Sequence, residues 1–206
     1  MSELIVKAFV GAGGKTTQLK KQAAEYWEQG LRVFVTTTTH MLIEEDTLLT
    51  DDVDAILQRL EEKRYVMAGL PSGEKITPLS PETYDAVCRY ADVVLVESDG
   101  SRHMPIKFPN HHEPVIYENT DEILVVCGLH ALGKRMCDAA HRLELVKQCL
   151  DVSEDTIVTE EHIEKLVREG YVLPLRRKFP GKTVSVIPSH DGSQEQVNIA
   201  ERLKQL

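Results

Sequence analysis

The sequence predicts an α/β fold in which a mostly parallel sheet is covered by helices on both faces. Short β-rich apolar runs alternate with helical patterns along the chain, an order typical of such sheets. Several of these runs, such as "VVLVE" and "EILVVC", are almost wholly apolar, as expected for buried strands. No repeat, linker or low-complexity tract interrupts the alternation, so we expect residues 1–206 to form one domain.

Each predicted element has its own local signal. Gly30 is a natural stop for the first helix, and Asp51 or Asp52 can cap the second. Pro81 suits the first turn of the third helix, and Thr159 caps a later one. The segment Ser98–Asn119 shows little periodicity and is expected to be irregular. The predicted strands are Leu4–Val10, Arg32–Val35, Tyr65–Leu70, Val93–Glu97, Glu122–Cys127 and Thr183–Ile187. The predicted helices are Gln18–Gln29, one capped by Asp51 or Asp52 that runs through about Arg64, Pro81–Tyr90, Asp138–Leu150, the one that Thr159 caps, and Gln194–Leu206.

Composition excludes several classes of function. The formal net charge is −9 and no Lys/Arg-rich tract is present, so the sequence lacks the signature of a general nucleic-acid binder. The longest apolar runs are too short to span a bilayer, and no signal segment opens the chain. The four cysteines form no C-x-x-C pair, which favours reduced, buried thiols. We therefore predict a cytoplasmic protein with no membrane or nucleic-acid partner.

The stretch "FVGAGGKTTQLKK" contains most of a phosphate-binding loop. A full loop reads G-x-x-x-x-G-K-[ST], and Gly14, Lys15 and Thr16 supply its second half. The first glycine should fall on Phe9, so the motif is incomplete. A strand is predicted before the loop and a helix after it, which is the context that the motif requires. The fold expected is therefore a three-layer, P-loop NTPase-like domain.

Glycines allow consecutive backbone N–H groups to turn inward around phosphate oxygens, and Gly11 and Gly13 partly replace the missing glycine. The N-terminus of the following helix attracts the same anion. Lys15 can reach the β- and γ-phosphates, the Thr16 hydroxyl can ligate Mg²⁺, and Thr17 completes the nucleotide-binding set. The alternative is a glycine-rich turn that binds nothing.

An acidic strand end supplies the carboxylate that phosphoryl chemistry with Mg²⁺ needs. In "VVLVESDG", Glu97 ends a buried strand and Asp99 follows it, at the edge where open α/β sheets bind ligands. Either carboxylate could hold the metal or its water, and we predict Thr16 and Glu97 as metal ligands, with Lys15, Glu97 and Asp99 as catalytic residues. Threonines 36–39 in "TTTTH" could contact the γ-phosphate, or simply be good strand residues. No N-K-x-D run for guanine is present, so ATP is the expected nucleotide.

The first part of this irregular segment, Ser98–Pro114, is predicted to form a second-substrate site beside the γ-phosphate. Arg102 can grip a carboxylate or phosphate with two parallel hydrogen bonds, and Lys107 supplies a point charge. His112 and Glu113 of "HHEP" are expected to contact substrate or fix the loop. The alternatives are pairing of both cations with surface acids, or a metal site that includes His103.

Five motifs together resemble the YqeC family of accessory proteins for selenium-dependent molybdenum hydroxylases. They are "GAGGKTT", "TTTTH", "ESDGSR", "PIKFPNHHEPVI" and "VVCGLHALGK". The resemblance implies nucleotide binding at Gly13–Thr16 and a functional acidic turn at Glu97, Asp99 and Gly100. It also marks six family-like positions: Ser101, Arg102, Lys107, His112, Glu113 and Pro114. It also implies a role in selenium or molybdenum cofactor maturation, with a molybdenum hydroxylase as a client.

The glycine loop, the threonine run and the glutamate-ended strand also resemble the ATP-binding domain of Mur-type ligases, although this chain is shorter than those enzymes. Three functions therefore stay open. The first is an ATPase, kinase or ligase that acts on a small cofactor precursor. The second is an accessory protein that docks on its client under nucleotide control. The third is a carrier of metal or selenium that hydrolyses nothing.

Overall fold

The computed structural model of the chain describes residues 3–206, and its strands and helices alternate as the sequence predicts. Its strands are β1 Ile5–Gly11, β2 Val33–Thr37, β3 Met41–Leu42, β4 Tyr65–Met67, β5 Leu70–Ser72, β6 Lys75–Thr77, β7 Val93–Glu97, β8 Ile106–Lys107, β9 Glu122–Gly128, β10 Ala140–His141 and β11 Thr183–Ser189. Its α-helices are α1 Lys15–Glu28, α2 Val53–Lys63, α3 Pro81–Cys88, α4 Met136–Ala139, α5 Leu143–Leu150, α6 Glu160–Val167, α7 Leu173–Lys178 and α8 Gln194–Leu203.

A six-stranded, mostly parallel sheet flanked by helices is the centre of the fold, which confirms the predicted α/β class. The strand order is β11-β9-β1-β7-β2-β4. Strand β2 pairs in parallel with both β7 and β4, and β9 pairs in parallel with β11. Every residue of β2 and β7 is buried, as their almost continuous apolar sequences require.

The chain divides into two compact units. The first contains residues up to Ala8, Thr16–Asp99 and Val115–Asp121, and the second contains Phe9–Lys15, Gly100–Pro114 and Glu122–Leu206. The expectation of one domain over residues 1–206 stays a prediction. None of the helices within residues 3–206 combines the length and apolar character that a bilayer span demands.

The first unit is built on an apolar core between β-strands and two capped helices. Asp52 accepts hydrogen bonds from the first turn of α2, and Ser80 caps α3, whose first residue is Pro81. The ring of Tyr84 stacks on Tyr117 at 3.8 Å. The core residues include Val6, Phe34, Ile56, Leu60, Val66, Val87, Val94 and Val96. This unit also contains an antiparallel sheet of order β3-β6-β5.

The second unit contains β9 and β11 together with α4–α8. Thr159 caps α6 in a capping box with His162, as the sequence predicts for Thr159. A π-helical turn at Arg168–Val172 joins α6 to α7. Residues Ile106–Lys107 of β8 pair in parallel with Ala140–His141 of β10. This small pair of strands holds part of the segment that sequence analysis expected to be irregular.

Two predicted elements are wrong in detail. The predicted helix Asp138–Leu150 is two helices, because β10 pairs with β8 and Arg142 adopts a left-handed backbone with φ of 62°. The predicted strand Tyr65–Leu70 ends at Met67, and Leu70 begins β5 of the antiparallel sheet instead. Other boundaries move by a few residues; α1, for example, begins at Lys15 rather than Gln18.

Candidate phosphate-binding site

The loop after β1 has the glycine conformations that a phosphate cradle requires. Gly11 has a φ of 91° and Gly13 a φ of 78°, values that side chains rarely tolerate. A Cβ atom on Gly11 would collide with the carbonyl oxygen of Val126, and one on Gly13 would lie 2.5 Å from Cα of Gly128. The loop therefore lies directly against the backbone of β9, and the N–H of Ala12 donates to Val126 O at 2.9 Å. Glycine is required at positions 11 and 13 because the loop packs closely against β9 and because its backbone has positive φ angles.

Lys15 is buried at the end of this loop. Its Nζ donates to the carbonyl oxygen of Gly11 at 2.8 Å and to Oγ of Ser101 at 3.3 Å. The ammonium therefore lies inside the loop, close to where the backbone would surround a phosphate. Ser101 belongs to the Gly100–Pro114 segment, so this hydrogen bond connects the loop to that segment.

Thr16 and Glu97 form the second feature of the site. Thr16 follows Lys15 in the chain, and its Oγ1 donates to Oε2 of Glu97 at 2.7 Å. Glu97 is only 7% exposed although it ends the apolar strand β7. A hydroxyl and a carboxylate oxygen are the kinds of ligand that Mg²⁺ takes, so the two predicted metal ligands lie together and fit that ion.

The other predicted residues of the acidic turn and the loop have clear positions. Asp99 is fully buried, and Ser98 beside it accepts a hydrogen bond at its backbone oxygen from Val115 N. Gly14 has a φ of 125°, and Thr17 is exposed on the first turn of α1. Of the two candidate carboxylates, Glu97 is the one bonded to Thr16.

The hydroxyl groups of Thr36, Thr37 and Thr38 donate hydrogen bonds to backbone carbonyl groups. Thr36 Oγ1 donates to Ala68 O, and Thr37 Oγ1 donates to the backbone oxygen of Glu97 at 2.8 Å. Thr38 Oγ1 donates to Val115 O at 2.9 Å. A hydroxyl has a single hydrogen to donate, so these three cannot donate to a phosphate while these bonds last. Thr37 thereby fixes the end of β7 that presents Glu97.

A buried ion-pair cluster occupies the Gly100–Pro114 segment. The side chain of Lys107 is fully buried; its Nζ lies 2.6 Å from Glu113 Oε2 and donates to Gly100 O at 2.6 Å. Arg142 Nη2 contacts the other oxygen of Glu113 at 2.7 Å. Glu113 is thus shared by two cations. Of the two cations expected to pair with acids in the alternative interpretation, Lys107 does so with Glu113, as a buried contact.

Arg142 and His141 are the residues that sequence analysis missed in this cluster. Burial, followed by the positive charges of Lys107, Arg142 and Arg102, lowers the pKa of His141 below its usual value. Both residues lie where the predicted helix Asp138–Leu150 is interrupted. The sequence pattern is helical on both sides of this break and therefore gave no sign of it. The signal that could have found them is the pair of polar residues "HR" within an otherwise apolar run.

The remaining predicted residues are at the surface. Arg102 is exposed, with a left-handed φ of 49°, and His103 beside it has a φ of 62°. The exposed ring of His112 lies 3.7 Å from the ring of His111, and its backbone N–H donates to Oδ1 of Asn110. Within residues 3–206, no cluster of three or more His, Cys, Asp or Glu side chains could hold a metal ion.

Comparison with known proteins identifies relatives along most of the chain. The family model described as "YqeC protein" matches residues 7–144. The Escherichia coli (strain K12) protein YqeC is 32% identical over 173 residues, which cover 79% of this chain and 67% of that protein. Among solved structures, a chain of the MinC:MinD cell division protein complex of Aquifex aeolicus aligns with 97% of this chain and 86% of its own length. Its identity is 15% and its TM-score 0.37, too low to bear on function.

Proposed function

Because this chain belongs to the YqeC family, we propose that it binds ATP at Gly11–Thr17 and uses Mg²⁺ to hydrolyse it or to transfer its γ-phosphoryl group. The observation that carries the proposal is the 2.7 Å hydrogen bond between Thr16 and Glu97, directly after a glycine loop with positive φ angles. The carboxylate of Glu97 is buried and bonded to the hydroxyl of Thr16, at the end of the glycine loop. Metal binding is the simplest explanation for this arrangement.

The loop residues contribute binding and charge stabilisation. The backbone N–H groups of Gly13, Gly14 and the first turn of α1 would donate to phosphate oxygens, whereas the N–H of Ala12 is bonded to Val126 O. The ammonium of Lys15 would exchange the Gly11 carbonyl for a β- or γ-phosphate oxygen, and so stabilise charge that develops during transfer. Mg²⁺, held by Thr16 and Glu97, would neutralise the phosphate charge when it is bound. Asp99 would serve as a second acidic group at the same strand end.

We place the acceptor for the phosphoryl group, an unidentified small molecule, beside the Gly100–Pro114 segment. The hydrogen bond from Lys15 to Ser101 supports this, since it joins the phosphate loop to the start of that segment. Arg102 is the accessible cation of the predicted second-substrate set, whereas Lys107 is buried against Glu113. Arg102 and His112 would therefore contact the acceptor, and Lys107 and Glu113 would hold the segment in shape.

The proposed biological role is maturation of a selenium or molybdenum cofactor for hydroxylases, in line with the family resemblance. A second candidate is a nucleotide-controlled accessory protein that docks on a client enzyme. The same Lys15–Ser101 bond favours it, because a phosphate that captures Lys15 would release Ser101 and change the adjacent segment. A carrier of metal or selenium that needs no hydrolysis is the third alternative.

Phosphate release from ATP tests these functions. We expect Mg²⁺-dependent turnover that a metabolite extract stimulates, and we expect Arg102→Ala to retain ATP binding while it loses this stimulation. Stimulation by a purified molybdenum hydroxylase instead of the extract would favour the accessory protein. Turnover that neither addition changes, with Arg102→Ala equal to the native protein, would overturn the acceptor site.

A further inference from the structure

A groove in the first unit, remote in sequence from the acidic turn at Glu97–Gly100, has the size of a small-molecule site. Its volume is about 450 Å³, within the range of about 300–1,000 Å³ common for ligand pockets. Ala23 and Ala24 of α1 contribute small side chains to its lining, and Trp27 and Tyr65 contribute aromatic walls. Neither the phosphate loop nor its carboxylates line it, so the proposed nucleotide chemistry leaves this groove unexplained.

A hydrogen bond holds one of the two aromatic walls, Trp27, in place. Trp27 is the only tryptophan of the chain and is 50% exposed, yet its Nε1 donates to the carbonyl oxygen of Lys63 at 2.9 Å. Tyr65 is half-buried at the start of β4, and burial together with the charges of Glu44 and Asp46 raises its pKa to about 12. Tyr65 therefore offers a neutral ring and a hydroxyl donor at physiological pH. Two aromatic rings in the lining of one groove favour a flat, aromatic ligand.

The charges along the groove favour a negative group on that ligand. Lys20 and Glu44 neutralise each other in an ion pair of 2.6 Å. Arg59 is half-buried and makes no hydrogen bond or ion pair with any residue among 3–206. Lys63 stands one helical turn further along α2. The lining thus holds three cations and two anions, in a chain whose net charge is −9.

We propose that this groove binds a small aromatic anion, whose ring lies against Trp27 and Tyr65 and whose acid group is held by Arg59 and Lys63. Guanidinium groups bind carboxylates, sulfonates and phosphates through paired donors. The N–H donors of the half-buried Arg59 have no partner among residues 3–206 and can bind such a group. The proposal is independent of the nucleotide site, because no residue is common to the two.

The probe is 1-anilinonaphthalene-8-sulfonate, with N-phenyl-1-naphthylamine as the matched molecule that lacks the sulfonate. Since Trp27 is the sole tryptophan, energy transfer from tryptophan to the bound probe reports occupancy next to this side chain. We expect saturable one-to-one binding of the sulfonate to the full chain, with quenching of Trp27. In Trp27→Phe the energy transfer should be lost, while calorimetry should still detect binding of the probe, because an aromatic ring remains at this position.

The variants separate specific recognition from general apolar binding. Arg59→Gln should weaken sulfonate binding about tenfold, the usual loss for one charged hydrogen bond, and leave binding of the neutral probe unchanged. Lys63→Gln should weaken it less, and Arg89→Gln, an exposed arginine of the same unit outside the groove, should have no effect. Circular dichroism verifies that each variant is folded. Equal affinity of Arg59→Gln, Lys63→Gln and Arg89→Gln for the sulfonate, absent energy transfer, or binding that does not saturate would each overturn the proposal.

Discussion

The hydroxyl of Thr16 donates to the carboxylate of Glu97 across 81 positions of sequence, with 2.7 Å between Oγ1 and Oε2. Thr16 is the second residue of α1, and Glu97 is the last residue of β7. Glu97 is nearly inaccessible, and removing a carboxylate from water is costly unless hydrogen bonds or a cation compensate. This pair is the physical basis for the proposed Mg²⁺ site.

Removal of the Thr16 hydroxyl should reduce the benefit of Mg²⁺ for nucleotide binding. Thr16→Val keeps the shape of the side chain and loses the oxygen, so ATP affinity in the presence of Mg²⁺ should fall about tenfold. Affinity without Mg²⁺ should change little. Thr16→Ser retains the hydroxyl and serves as the control. Calorimetric titration with and without Mg²⁺ measures the difference, and equal affinities for the valine and serine variants would remove Thr16 from the metal site.

Neutralisation of Glu97 should separate binding from turnover. Glu97→Gln is nearly isosteric and retains an acceptor for Thr16, so nucleotide binding should persist while Mg²⁺-dependent phosphate release falls roughly 100-fold. Asp99→Asn should have a smaller effect, because Glu97 is the carboxylate bonded to Thr16. A larger loss for Asp99→Asn would show that the metal ligand is Asp99.

The shared carboxylate of Glu113 should matter for stability. Glu113→Gln leaves the fully buried Lys107 and its neighbour Arg142 without their counter-charge, which should lower the free energy of unfolding by about 3–5 kcal/mol. The matched control is Glu160→Gln, which removes the partner of Arg202 in an exposed ion pair and should cost far less. Urea unfolding followed by circular dichroism compares the two. Similar small losses would mean that the buried cluster contributes no more than a surface pair.

Acidification should destabilise the fold through His141. Its pKa is lower in the folded chain than in the unfolded one, so the unfolded chain binds the proton more tightly. The stabilisation is fully present above the ordinary pKa of 6.5 and is lost as the pH falls through the lowered folded value. His141→Gln should flatten this part of the profile, whereas His112→Gln, at the exposed position, should not. Parallel pH profiles for native protein and His141→Gln would contradict the prediction.

Local signals were sufficient to predict the central strands and the glycine loop between β1 and α1. The apolar run of β7 ends at a glutamate, and the glycines of Gly11–Gly14 stand between a strand and a helix, so both features depend on adjacent residues. The pairing of Thr16 with Glu97 could be expected from the motif, but its geometry required the sheet. The roles of Thr37 and Thr38 stayed open in the sequence because they depend on the carbonyl groups of Glu97 and Val115.

Long-range contacts explain what the sequence did not predict. The break at Ala140–Arg142 depends on strand pairing with Ile106–Lys107, which lies 34 residues earlier in the chain. The local helical pattern contains no information about this distant pairing. The same pairing places His141 opposite Lys107. The next residue, Arg142, forms an ion pair with Glu113. The antiparallel sheet of β3, β5 and β6 consists of strands of two or three residues, too short for a period-2 pattern to emerge.

Thermal unfolding with ATP and Mg²⁺ tests the central claim most directly, because the claim requires a nucleotide to bind the folded chain. A ligand present at 100 times its dissociation constant adds about 2.7 kcal/mol, which for a chain of this size raises the melting temperature by about 5–10 °C. Lys15→Ala should lose most of this rise, whereas Lys21→Ala, an exposed lysine of the same helix, should keep it. An unchanged melting temperature with every nucleoside triphosphate, or an equal rise in Lys15→Ala, would contradict the account.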